Sequence, residues 1–270
     1  MKKILFALSI SSLLFSCNNG DRPATDGSTT PTEIAPPIIV YGVINSYPHD
    51  TASFTQGLWV HNGQLYESTG SPGAPDNNGS WIGPVDLKSG KIEKKATIPD
   101  EYFGEGSTIL NNKVYYITYR KKTGFVYEYP SFKKIRDFSY ATEGWGLTNN
   151  GKDLIMSDGS SSLYFYNPES LQVQNIVGVT DNNGPVPNLN ELEYINGFIY
   201  ANQWQTNYIL KIDPASGKVT GRMDFDSLDR EAKAKFPGAE YLNGIAYDSS
   251  GNHIYITGKK WPTLYEIKLQ

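Results

Sequence analysis

Apolar and polar residues alternate along most of this chain in short runs, each broken after a few positions by Asn, Gly or Ser. Five stretches repeat one plan: GLWVHNGQLYEST from Gly57, GSTILNNKVYYITY from Gly106, GLTNNGKDLIMSDG from Gly146, ELEYINGFIYANQW from Glu191 and GIAYDSSGNHIYITGK from Gly244. Each reads as a strand, a turn rich in Asn and Gly, and a second strand heavy in Tyr, Ile and Leu, which is the strongest local signal for a hairpin. The copies recur every roughly 40–53 residues, the period of propeller blades. Between them lies a looser hairpin, seen in GPVDLKSGKIEKKATI, GFVYEYPSFKKIRDF, LYFYNPESLQVQNIV and ILKIDPASGKVTGRMDF. Two hairpins per repeat make a four-stranded blade. The last copy is one strand short, and such an open edge invites aggregation. IIVYGVINSY, from Ile38 to Tyr47, is a lone strand at the other end of the chain. The pattern therefore predicts an all-β, five-bladed β-propeller whose last blade is completed by the N-terminal strand. A β-sandwich of evenly spaced strands is the competing arrangement, but it accounts for neither the paired hairpins nor the orphan strand. DSLDREAKAKF, Asp226–Phe236, is the one helical segment expected, an insertion before blade five with Ser227 as its cap.

The N-terminal region follows a different pattern. Lys2 and Lys3 precede an apolar stretch, Ile4 to Leu14, that is short for a membrane span. It ends in Leu14-Phe15-Ser16-Cys17, which resembles a bacterial lipobox, so residues 1–16 are expected to be a lipoprotein signal peptide and Cys17 the lipidated residue. An ordinary signal peptide with an incidental cysteine is the alternative. Residues 17–37, polar and rich in Pro, Gly and Thr, read as a flexible tether, and 38–270 as the propeller domain. This places the protein in the bacterial cell envelope, lipid-anchored and facing the periplasm or the outer membrane, with membrane contact only through the anchor. Cys17 is the sole cysteine, so no internal disulfide is possible and stability must come from the core. The net charge of −4 without a basic cluster argues against nucleic acid as a partner. His49, His61 and His253 are scattered, so no multi-histidine metal site is expected.

Propeller geometry turns these positions into a map. The inner strand of each blade lines the channel and its hairpin turns at one face, so inner-strand starts and second-strand ends share the opposite face. Phe54, Gln56, Phe103, Glu105, Glu143, Trp145, Asn190 and Asn243 stand at strand starts; Glu67, Tyr119, Asp158, Trp204 and Lys259 stand at second-strand ends. Aromatic walls with a few amide, acidic and basic groups are the composition of a small-molecule pocket. Structural roles stay open for several of them: Glu143 and Asp158 as caps of backbone amides between blades, Asn190 and Asn243 as partners of turn backbone, Trp145 and Trp204 as filling of a narrow ring. Glu105, between Gly104 and Gly106, is the sharpest candidate. Burial among Phe103, Trp145 and Trp204 would disfavour its charged form and raise its pKa toward neutrality, which suits proton transfer. Lys259 offers an opposing charge.

The motifs YPHDTASFTQGL, LYESTG, YFGEG, EGWGL, SDGS, NELEYINGFIYANQWQT, LNGIAYD and TGKKWP occur in this order between about Ile38 and Gln270. Together they resemble the plant-type glutaminyl cyclases, or glutamine cyclotransferases, of plants and bacteria. The resemblance implies a five-bladed propeller that converts N-terminal glutamine of peptides, or free glutamine, to pyroglutamate with release of ammonia, without a cofactor and without the zinc of the unrelated animal-type enzymes. It implies Glu105 as the acid/base and Phe54, Gln56, Phe103, Trp145, Asn190, Trp204 and Lys259 as substrate-binding residues. Tyr119 stands where many relatives carry a tryptophan, which predicts a slightly smaller and more polar wall. After ESTG, the familiar Ser-Ser-Leu-Arg stretch is replaced by the longer SPGAPDNNGSWIGPV, expected to bear on peptide specificity. The chain is expected to act as a monomer. Two further readings are a non-catalytic propeller that binds a peptide or sugar end, and a lactonase-like hydrolase holding Ca²⁺ through Glu105, Asp158, Asn190 and Asn243.

Overall fold

The computed structural model describes residues 34–71 and 79–270. The expected signal peptide, Cys17 and most of the tether lie outside the described residues, as does the middle of the long segment after Gly70. Strand β1 is Tyr41–Pro48. Blade one contains β2 Phe54–His61, β3 Gln64–Gly70, β4 Trp81–Pro84 and β5 Ala96–Thr97. Blade two contains β6 Gly104–Leu110, β7 Lys113–Thr118, β8 Thr123–Glu128 and β9 Lys134–Ser139. Blade three contains β10 Leu147–Asn149, β11 Leu154–Ser157, β12 Ser162–Tyr166 and β13 Val173–Gly178, and is followed by a small hairpin, β14 Thr180–Asp181 with β15 Gly184–Pro185. Blade four contains β16 Leu189–Ile195, β17 Phe198–Gln203, β18 Tyr208–Ile212 and β19 Val219–Asp224. After helix α1, Asp226–Lys235, come β20 Leu242–Asp248, β21 His253–Gly258 and β22 Thr263–Leu269.

The last sheet has the order β1-β22-β21-β20, so the N-terminal strand is the outer strand of blade five, as the repeat pattern predicts. β1 runs antiparallel to β22 from Tyr41↔Leu269 to Pro48↔Thr263, with a bulge between Val43 and Asn45. The closure has a polar clasp: Asn45 Nδ2 and Tyr47 OH both donate to Glu266 Oε2, at 2.8 and 2.7 Å. Just before β1 the chain also grips blade four, where the Arg222 N–H donates to the Pro37 carbonyl and the Ile39 N–H to the Arg222 carbonyl.

Blades stack face to face, so most strands are buried on both sides, and the period-2 alternation of a strand sends neighbouring residues into different cores. β7 shows the rule. Val114 and Tyr116 join Trp59, Tyr66 and Ile82 between blades one and two, while Tyr115 and Ile117 join Leu154 and Met156 between blades two and three. The uninterrupted apolar run VYYI is thus two half-faces rather than a helix. Each large side chain so buried contributes about 1.5–3 kcal/mol, and each blade interface has its own cluster. α1 buries Leu228 and Ala232 against Trp261, Met223 and Phe225. Ser227 does not cap it: the N-cap is Phe225, with no side-chain hydrogen bond, and Ser227 lies inside the first turn. Asp226 and Asp229 in that turn complement the exposed N–H groups there by charge instead.

Candidate active site

A shared irregularity of the inner strands aims the polar side chains at one mouth. In β2 the pairing with β3 slips between Thr55 and Gly57; β6 slips between Gly104 and Ser107, β16 between Leu189 and Leu192, and β20 between Leu242 and Ile245. A bulge adds an unpaired residue and redirects its side chain, a device common beside active sites. The residues carried on these bulges are Gln56, Glu105, Asn190 and Asn243. Blade three has its equivalent just ahead of β10, where the Trp145 N–H donates to the Ser157 carbonyl and the Gly146 N–H to Ser157 Oγ. Gly106 is required by the crowding around the bulge: a Cβ there would sit 2.4 Å from the Leu147 nitrogen and 2.9 Å from the Trp145 carbonyl oxygen, to which the Gly106 N–H donates.

The mouth is a cavity of about 410 Å³ lined by Phe54, Gln56, Phe103, Glu105, Tyr119, Trp145, Asn190, Trp204, Glu240, Tyr241 and Lys259. All nine residues expected from the sequence to form the catalytic and substrate-binding set are therefore brought together. Six rings form its wall as a continuous edge-to-face series. Centroid distances are 6.0 Å for Phe54–Phe103, 6.2 Å for Phe103–Tyr119, 6.2 Å for Tyr119–Trp145, 5.4 Å for Trp145–Trp204 and 5.9 Å for Trp204–Tyr241. Each such pair adds about 0.5–1.5 kcal/mol beyond area burial, so the wall is stiff before a ligand arrives. Between Tyr241 and Phe54 the series is interrupted by lysines, with Lys259 Nζ 4.8 Å and Lys260 Nζ 5.6 Å from the Phe54 centroid.

At the floor, Glu105 is 5 % exposed, and among the described residues no group donates a hydrogen bond to its carboxyl. Burial lifts this carboxyl well above the usual carboxylate range; the Lys259 ammonium opposes the shift and the Glu143 carboxylate adds to it. Lys259 is equally buried, and burial pushes its ammonium down against the opposing pull of Glu105 and Glu240. The two groups thus face one cavity with weakened preference for their charged forms. Asn243 lies behind the floor: its Nδ2 donates to Gln56 Oε1 at 3.0 Å and to the Thr55 carbonyl at 2.9 Å, which fixes the Gln56 amide. Asn190 Oδ1 is buried with no donor among the described residues, an acceptor held ready in the pocket.

The packing corrects one strand-end assignment, Glu67, and decides the roles of Asp158 and Glu143. Glu67 is not at the mouth; it pairs opposite Leu58, deep in the sheet, and accepts from Thr55 Oγ1 at 2.7 Å and from His49 Nε2 at 3.1 Å. The blade-one residue equivalent to Tyr119, Trp204 and Lys259 is Gly70, opposite Phe54, where a Cβ would fall 2.2 Å from the Phe103 ring. Asp158 caps the turn of its own blade, accepting from the Ser160 N–H, the Ser160 hydroxyl and the Tyr164 hydroxyl. Among the described residues Glu143 caps no backbone amide between blades; it accepts the Trp145 indole N–H at 3.1 Å and faces Arg120. The four oxygen groups considered for Ca²⁺ are not assembled at the mouth, because only Glu105 and Asn190 line the cavity while Asp158 binds within its own turn; among the described residues no three His, Cys, Asp or Glu side chains group in a way that suits a metal. Glu240 and Tyr241 are pocket residues that the sequence reasoning missed. Tyr241 occupies the repeat position of Phe54 and Phe103, two residues before the bulge residue, and strict repeat alignment finds it. Glu240 has no repeat signal.

The family model described as glutamine cyclotransferase matches residues 16–269. A glutaminyl-peptide cyclotransferase of Arabidopsis thaliana is 40 % identical over 231 residues, covering 84 % of this chain and 71 % of its own length. The crystal structure of Myxococcus xanthus glutaminyl cyclase superposes with a TM-score of 0.78 at 34 % identity, covering 87 % of this chain and 98 % of that one.

Proposed function

From the premise that the chain belongs to the glutamine cyclotransferase family, we propose that this cavity cyclises N-terminal glutamine to pyroglutamate with Glu105 as the proton carrier. The observation that supports it most is a buried carboxyl, free of donors among the described residues, on the floor of an aromatic well that also holds a buried lysine. The α-amine nitrogen attacks the substrate's own Cδ carbonyl, forming the Nα–Cδ bond. Glu105 accepts a proton from that nitrogen and returns it to the side-chain nitrogen, whose bond to Cδ then breaks to release ammonia and leave the lactam. Because attack is intramolecular, holding the side chain folded back on the amine removes most of the entropic barrier. The rings of Phe54, Phe103, Trp145 and Trp204 select that compact conformer and exclude water. Asn190 Oδ1 suits an N–H of the attacking amine. Lys259 Nζ and Gln56 Nε2 suit the developing oxyanion, where one donor contributes about 100- to 1,000-fold in rate. Incubation of Gln-initiated peptides with the purified protein should release ammonia and yield products lighter by one ammonia. A panel in which no peptide reacts refutes the assignment.

The same reading extends to the substrate and the setting. Peptide or free glutamine fits a well open at one end, and closure of the ring within one chain supports a monomer. For localisation, the Leu14-Phe15-Ser16-Cys17 motif supports export and lipidation at Cys17, with the domain held at the cell envelope by 20 tether residues, 18–37. Mass spectrometry of the mature N-terminus decides this: a diacylglyceryl cysteine at position 17 supports it, and an unmodified terminus overturns it.

A further inference from the structure

Building on the cyclase reading, we infer that Glu240 and Lys260 line the exit of the pocket and together set its response to the charge of the residue that follows the N-terminal glutamine, each offsetting the other's preference. With the glutamine side chain and amine at Glu105, the rest of the peptide has to leave through the rim. Along the aromatic arc from Phe54 to Tyr241 the cavity is walled by rings; the Arg120–Glu143 pair beside Tyr119 and Trp145 does not line it. Its one interruption, between Tyr241 and Phe54, is polar: Lys260 Nζ donates to Glu240 Oε1 at 2.7 Å, with both side chains about one-third exposed. Their backbones are fixed. The Glu240 N–H donates to the Lys259 carbonyl, its own carbonyl accepts the indole N–H of fully buried Trp261, and the Lys260 N–H donates to the Ser53 carbonyl. The chain reaches this point from helix α1, which gives that insertion a role: it brings to the cavity lining an acid that the repeat pattern does not encode.

In the free protein the two charges balance each other, so the wild type discriminates weakly between second residues. Removing either one leaves its partner to act alone. A basic second residue then meets an unpaired Glu240, or an acidic one an unpaired Lys260. Exposed charge pairs of this kind change affinity modestly and are screened by salt.

The test is kcat/KM for two peptides differing only at the second position, Gln-Lys and Gln-Asp, with wild type, Glu240→Gln and Lys260→Gln at low ionic strength. The Lys/Asp ratio should fall about three-fold in Glu240→Gln and rise about three-fold in Lys260→Gln, and both shifts should collapse in high salt. Taking a ratio cancels any uniform loss of activity, and the two variants fail independently if one is poorly folded. Ratios that stay at the wild-type value, or that move in the same direction, overturn the inference while leaving the cyclase reading intact. A wild-type protein inert toward both peptides instead defeats the cyclase reading, and this inference with it.

Discussion

The mouth and the waist of this propeller both bury glutamate, and comparing them separates a chemical group from a structural one. At the waist, Glu191 reaches from blade four across the channel; its Oε1 accepts from the Leu58 N–H of blade one at 3.2 Å and its Oε2 from the Ile245 N–H of blade five at 2.8 Å. Glu193 does the same one step along, accepting from the Tyr247 N–H and from Thr148 Oγ1. Glu105 at the mouth is just as buried, but its carboxyl accepts from no group among the described residues. Burial raises the pKa of all three above the ordinary range. A perturbed pKa therefore does not by itself mark the reactive acid here; uncommitted hydrogen-bonding capacity does. The waist acids bind inner strands to one another, whereas the mouth acid waits for a ligand.

The largest break of this comparison is Glu105→Gln, which keeps size and burial and removes the proton carrier. Ammonia release should fall by about 10²- to 10⁴-fold, the usual contribution of acid–base catalysis, with the unfolding midpoint unchanged or raised, since an amide costs less to bury than a carboxylate. Normal turnover in a folded variant would remove Glu105 from the mechanism. In wild type the proton acceptor is the ionised form, so kcat/KM should fall as pH drops through a value above the ordinary carboxylate range.

Glu191→Ala should behave in the opposite way. It strands two buried N–H groups at about 1–3 kcal/mol each, so denaturant unfolding should show a loss of about 2–6 kcal/mol while turnover per folded molecule is kept. Loss of turnover without loss of stability would mean that the waist is part of the chemistry.

The smallest and sharpest test is Glu193→Gln. Its carboxyl is pushed up to about 8, from an ordinary 4.5, by burial acting against the Tyr247 and Thr148 hydrogen bonds. Between those values the native state holds a proton that the unfolded chain has lost. The stabilising contribution is complete below about pH 4.5 and disappears as pH rises through about 8. Stability of the wild type followed across that range should therefore decline more steeply than that of Glu193→Gln. Identical pH profiles would show that Glu193 is not a protonated link between the blades.

The sequence by itself determined the five blades and their closure. Hairpin spacing and the apolar runs are local properties, set by turn chemistry and by the need to cover both faces of each sheet, and the unpaired edge of blade five demanded the strand at Ile38–Tyr47. Repeat position also brought Phe54, Gln56, Phe103, Glu105, Tyr119, Trp145, Asn190, Trp204 and Lys259 to one face. Tertiary structure alone decided which acids are committed. Glu67, three residues short of the true strand end, and Asp158, at a real one, are committed to partners that folding gives them, His49 and Thr55 for the first and Ser160 and Tyr164 for the second, whereas the Glu105 carboxyl has none among the described residues. It also decided that Glu240 reaches the rim, because that residue follows a helical insertion outside the repeat, and its position depends on contacts with Lys259 and Trp261 that no spacing encodes. Periodicity fixes where a strand begins, but the freedom of a buried carboxyl depends on donors distant in the chain.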